Sequence, residues 1–117
     1  MAASPTPASE LKLSTEQNPE ATIIRGTGKI SSETADLLQS TIRELIPGTK
    51  RIVLDLTGVE YVDSSGLGAL VSVFMAANHA NCILELANPK QRIRDLFKIT
   101  KLASIFDVNG DNYFGVY

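Results

Sequence analysis

Residues 52–79 read IVLDLTGVEYVDSSGLGALVSVFMAANH, and they decide the fold class. The run Ile52-Val53-Leu54-Asp55-Leu56 is short and almost continuously apolar, the pattern of a strand buried in a sheet that helices cover. A turn through Thr57-Gly58 is expected next, then Val59, Tyr61 and Val62, then the loop Asp63-Ser64-Ser65-Gly66-Leu67-Gly68. From Leu67 onward, Leu70, Val71 and Phe74 recur at helical spacing, and Ala69, Val73, Met75, Ala76 and Ala77 widen the stripe. A helix apolar around nearly its whole circumference should be well buried.

The same alternation extends in both directions. Upstream, Ala35, Leu38, Ile42, Leu45 and Ile46 keep helical spacing. Ser31-Ser32-Glu33 offers an N-cap pair with an acid in the first turn, and Pro47-Gly48 closes the helix. Before that, Leu11 and Leu13 alternate with polar neighbours, Asn18-Pro19-Glu20 signals a turn and ATIIRG resumes an apolar run, which predicts a β-hairpin. Downstream, Cys82–Leu86 reads as a second buried strand. A third helix starts near Asn88-Pro89, with Ile93, Leu96 and Phe97 on one face and Lys98 and Lys101 at its C-terminal end. Ile105–Val108 reads as a last short strand. Strands alternating with helices from Ala21 onward give an α/β layer fold, with right-handed crossovers and any site at the C-terminal ends of the strands. Residues 1–10 are rich in Ala, Ser, Pro and Thr and are expected to be a disordered tail, leaving 11–117 as one domain.

Composition narrows the function. The 117 residues are 44% apolar and 21% charged, with 11 Lys plus Arg against 13 Asp plus Glu. A net charge of -2 lacks the basic footprint of a nucleic-acid binder, and 6% aromatics with no Trp leave no stacking platform for bases. The one cysteine, Cys82, and the one histidine, His79, make neither a disulfide nor a zinc site, so no metal is expected. No apolar run reaches the ~18 residues that cross a bilayer, and the N-terminus has no signal-peptide pattern, so the cytoplasm is the expected compartment and no membrane insertion is expected.

Enzymatic readings fare poorly. Gly26-Thr27-Gly28 resembles the start of a dinucleotide loop, but Ser31 stands at the third glycine position. Gly28-Lys29 is followed by Ile30 where a phosphate loop needs Ser or Thr. Ser65 at a strand-to-helix turn suggests a nucleophile elbow, yet its surroundings are not G-x-S-x-G. His79 should lie about 20 Å away at the far end of the helix, which excludes a triad within one chain. Asp55 and Asp63 could be paired carboxylates, but nothing else converges on them, and Asp63 has a simpler role as a helix cap. Cys82 reads as core.

The distinctive segment is therefore Asp63–Gly68. Gly66 and Gly68 would permit a tight helix entry and close approach by another backbone. A phosphate on a serine at a helix N-terminus is well accommodated and adds about −1.5 to −2 of charge. An ordinary N-cap is the equally open alternative.

DLTGVEYVDSSGLGAL resembles the signature of bacterial anti-sigma factor antagonists, which are STAS domains. RGTGKISSETADLLQ and NPKQRIRDLFKITKLASIFDV are similar to flanking parts of that family, so the resemblance spans roughly residues 11–108. It implies a mixed four- to five-stranded sheet with α-helices packed against it, no catalysis and no cofactor. It further implies partner switching in the regulation of transcription. The unphosphorylated protein binds a cognate anti-sigma factor, often a serine kinase, and frees a sigma factor. Phosphorylation of the serine before the first glycine, Ser65 rather than the adjacent Ser64, weakens the complex, and a serine phosphatase resets it. The expected partner-binding residues are Gly28, Lys29, Ile30, Ser31 and Ser32 on one loop and Asp63, Ser64, Ser65, Gly66, Leu67 and Gly68 on the other. Lys29 is either a contact to an acidic partner or simply solvated. A structural subunit of a stress-signalling or lipid-transport complex is the alternative of the same fold, and a small nucleotide-binding enzyme the alternative outside it. Members of the family usually end in a helix, whereas residues 109–117 show no helical period; they could pair at a sheet edge or pack in a homodimer.

Overall fold

The computed structural model describes residues 10–99. The chain runs β1 (Leu11–Gln17), β2 (Thr22–Ile30), α1 (Ala35–Leu45), β3 (Arg51–Val62), α2 (Ser64–His79), β4 (Ile83–Ala87) and α3 (Gln91–Ile99), with a short 3-10 turn at Ile46–Gly48 after α1. The expected strand at Ile105–Val108, Lys101 and the segments 1–9 and 109–117 lie outside the described residues.

The four strands form one sheet in the order β1-β2-β3-β4. β1 and β2 are the expected antiparallel hairpin, closed where the Asn18 N–H donates to the Ala21 carbonyl at 2.9 Å. β2, β3 and β4 are parallel. Their crossovers place α1 and α2 side by side: Arg43 Nη2 donates to Ser72 Oγ at 2.8 Å, and Ser72 Oγ donates to Gln39 Oε1 at 3.2 Å. Ile24 of β2, Ile52, Leu54 and Leu56 of β3, and Leu86 of β4 share one core with Leu38, Ile42, Leu70, Val73, Ile93 and Phe97 of the helices. Each such side chain removed from water contributes about 1.5–3 kcal/mol.

β3 departs from expectation. It does not turn at Thr57-Gly58 but continues for 12 residues to Val62. Against β2 the register runs Arg25↔Asp55, then Thr27↔Gly58, Gly28↔Val59 and Lys29↔Tyr61, so β3 accommodates one extra residue at each of two bulges. A bulge bends a strand and changes which face the following side chains take. Val59 is fully buried while Tyr61, two residues on, is 46% exposed. Periodicity in the sequence cannot register such a slip.

Other boundaries shift as well, β4 by one residue to Ile83–Ala87. Gly28, Lys29 and Ile30 are not in a loop but complete β2. α1 starts at Ala35 with Thr34 as its N-cap residue, three residues after the expected serine pair. Local side-chain hydrogen bonds rather than a helix cap hold the intervening turn: the Thr34 hydroxyl donates to the Lys29 carbonyl and accepts from the Ser31 N–H, both at 2.8 Å. α3 starts at Gln91, because Asn88 takes a left-handed conformation (φ 57°) and Pro89 follows it. α2 is also less enclosed than its apolar sequence implies, with Met75 58% exposed.

Candidate functional site

The parallel pairing of β2 and β3 brings their C-terminal ends together, Ile30 opposite Val62. The chain leaves β3 at Asp63, whose N–H donates to the Ile30 carbonyl at 3.1 Å, and enters α2 at Ser64. The expected loop Asp63–Gly68 is thus the N-cap and first turn of the helix. Asp63 is its N-cap: Oδ1 accepts from the Gly66 N–H at 2.8 Å, and Oδ2 accepts from the Ser32 N–H at 3.4 Å. One carboxylate therefore satisfies a free donor of α2 and ties the helix to the turn after β2.

The glycines divide by role. A Cβ on Gly66 would stand 2.1 Å from the Ile30 carbonyl oxygen and 2.7 Å from its carbon, so only glycine lets α2 begin so close to β2. A Cβ on Gly68 would meet nothing within 4 Å. Gly68 is exposed, and no backbone among the described residues makes the expected close approach there. Gly28, with φ 117° and a Cβ that would clash with the Glu10 carbonyl at 2.2 Å, is required by the start of β1.

Of the expected surface, Ser32, Ser64, Ser65 and Gly68 are exposed, and Gly28, Lys29 and Asp63 are half-buried. Ile30, Ser31, Gly66 and Leu67 are buried and support the surface from beneath. The Ser64 and Ser65 side chains make no hydrogen bond among the described residues. Lys29 is not simply solvated: its Nζ lies 5.4 Å from the centre of the Tyr61 ring, a cation–π contact across β2 and β3. Tyr61 escaped the sequence reading because its exposure depends on the bulge. No sequence pattern would have supplied that signal.

The enzymatic readings lose their geometry. Gly26-Thr27-Gly28 lies inside β2, paired with β1 on one side, while Thr27 and Gly28 pair with β3 on the other. Its backbone donors do not form an open phosphate loop. His79 is the last residue of the 16-residue helix that Ser64 begins, about 20 Å from Ser65. Asp55 sits mid-strand, where burial raises its pKa but is outweighed by hydrogen bonds from the Thr57 hydroxyl and N–H, the Asn88 amide and the charge of Arg25, which leave the carboxyl below its ordinary value. It shares no partner with Asp63. Cys82 is buried, and that burial raises its thiol pKa, which opposes thiolate chemistry.

Comparison with known proteins extends this description. Residues 12–113 match the model of the STAS domain. The anti-sigma-B factor antagonist of Bacillus subtilis is 28% identical over 106 residues, covering 91% of this chain and 97% of that protein. An anti-sigma factor antagonist from Mycobacterium paratuberculosis superposes with a TM-score of 0.72 at 20% identity, over 86% of each chain. The antagonist SpoIIAA superposes in its unphosphorylated form with a TM-score of 0.63 at 20% identity, covering 86% of this chain and 100% of that one. Its phosphorylated form, from Bacillus, gives 0.66 at 18% identity and 88% of each chain.

Proposed function

The chain belongs to the STAS domain family, and from that premise we propose that it is an anti-sigma factor antagonist switched by phosphorylation of Ser65. In the unphosphorylated state it binds an anti-sigma factor that is also a serine kinase, and a sigma factor is released. The kinase moves the γ-phosphoryl group of ATP onto Ser65 Oγ: the new O–P bond forms, the bond to ADP breaks and the hydroxyl proton leaves. The complex then weakens until a serine phosphatase removes the group.

The observation that carries this reading is the exposed Ser65 in the first turn of α2, on a surface that the rest of the described chain does not cover. Ser64 and Gly68 share its turn of α2 and Ser32 bonds the Asp63 carboxylate before it, all small exposed residues open to a partner's backbone. Asp63 already takes the Gly66 N–H, so a phosphate on Ser65 adds charge beside a carboxylate. Within an interface that dianion must be desolvated, which costs several kcal/mol unless the partner supplies cations, whereas a hydrogen-bonded hydroxyl costs little.

Intact-mass spectrometry after incubation with the cognate anti-sigma kinase and Mg-ATP tests the proposal. A single phosphoryl gain is expected for the wild type and for Ser64→Ala, and none for Ser65→Ala, which still binds the kinase. A stable complex with no phosphoryl gain would replace this reading by that of a structural subunit.

A further inference from the structure

We propose that the edge of β1 that the described residues leave open is the interface of a two-fold symmetric dimer, in which β1 pairs antiparallel with β1 of a second copy and joins the two described four-stranded sheets into one. Among the described residues β1 is the outer strand on its side of the sheet. Such an edge leaves a row of N–H and C=O groups ready to pair with another strand.

Hydrogen-bond parity decides which registers are possible. At one end the Glu10 carbonyl accepts from the Lys29 N–H at 3.2 Å, and just past the other the Asn18 N–H donates to the Ala21 carbonyl at 2.9 Å. The even-numbered residues Lys12, Ser14 and Glu16 therefore direct their backbone groups at β2. Leu11, Leu13, Thr15 and Gln17 direct theirs outward. A second β1 must bond through the odd residues. The register that uses all seven pairs Leu11 with Gln17 of the second copy and Leu13 with its Thr15, and it places Ser14 opposite Ser14 on the two-fold axis.

Charge selects the same register. It sets Lys12 opposite Glu16 of the second copy, twice by symmetry, at non-hydrogen-bonded positions where facing side chains lie closest. Both residues are exposed, and Lys12 has no ion pair among the described residues. Arg25 Nη1 holds Glu16 Oε1 at 2.8 Å, which leaves Oε2 for the incoming ammonium. Sliding the two strands by two residues in either direction removes both Lys12–Glu16 pairs. An isologous contact of this kind closes at two copies instead of propagating a fibre. Ser65 lies beyond the end of β3, two strands inward, so the dimer leaves that surface open.

Oxidative cross-linking and sedimentation of the full chain test the interface. Ser14→Cys puts two thiols across the axis at a separation that suits a disulfide, and the buried Cys82 does not compete. A covalent dimer is expected to form much faster from Ser14→Cys than from Lys12→Cys, whose thiols would stand about 13 Å apart along the strands. Concentration-dependent dimerisation should weaken tenfold or more in Lys12→Glu, which turns two attractions into repulsions. It should recover in Lys12→Glu/Glu16→Lys. A chain that stays monomeric at high concentration, a dimer indifferent to Lys12→Glu, or equal cross-linking of the two cysteine variants would overturn the proposal.

Discussion

At the scale of single residues, Gly66 and Gly68 look alike in the sequence and differ entirely in the fold. Gly66→Ala drives a methyl into the Ile30 carbonyl, an overpacking that neither backbone can relieve by rotating a side chain. A loss of about 3 kcal/mol is expected, read as a fall in the urea midpoint. Gly68→Ala, with open space around it and better helix propensity, should leave stability equal or raised by up to about 1 kcal/mol. If the two substitutions cost the same, the close crossing of α2 over β2 is wrong. Asp55 supports a pH prediction. Its carboxyl is held below the ordinary value in the folded chain by Thr57, Asn88 and Arg25, against the effect of burial. Its contribution is therefore complete above the unfolded pKa near 3.9 and is lost as pH falls through the lower folded value. Asp55→Asn should destabilise at pH 7, and its deficit should shrink in acid. A deficit that grows on acidification would reverse the sign of the argument.

At the scale of elements, the start of α2 depends on one side chain. Asp63 caps the Gly66 N–H and reaches the Ser32 N–H, so Asp63→Ala removes a cap and a link between two elements together. About 1–2 kcal/mol is expected, and Asp63→Asn should recover part of it. For a domain of this size that corresponds to a drop of roughly 4–8 °C in melting temperature. An unchanged melting temperature would show that the helix start is held elsewhere. The turn between β2 and α1 rests on Thr34 and Ser31 in the same manner, with buried hydroxyls in place of a half-buried carboxylate.

At the scale of the whole molecule, the proposed switch requires that phosphorylation alter binding and not the fold. Ser65 is exposed and its side chain carries no hydrogen bond among the described residues, so Ser65→Glu should keep the wild-type circular dichroism spectrum and a midpoint within about 0.5 kcal/mol. Affinity for the anti-sigma kinase should nonetheless fall by tenfold or more in titration calorimetry, while Ser65→Ala binds like the wild type. Equal affinity of Ser65→Glu and the unmodified protein would contradict the electrostatic account.

Much of this is legible in the sequence. The apolar run at 52–56 marks a buried strand, Leu67–Ala77 marks the helix after it, and Asp63 before two serines marks a helix cap. Each is a local preference read over a few neighbouring residues, through periodicity, propensity and capping. What only the tertiary structure decided depends on residues distant in the chain. The bulges that carry β3 through Thr57-Gly58 and turn Tyr61 outward come from its register against β2. The need for glycine at 66 comes from the Ile30 carbonyl, 36 residues earlier, and the position of Gly28 inside a strand comes from pairing on both its sides. Local preferences are written into neighbouring side chains. Register and close approach exist only once separate strands have met, because their energies belong to pairs of elements and to no single stretch of sequence.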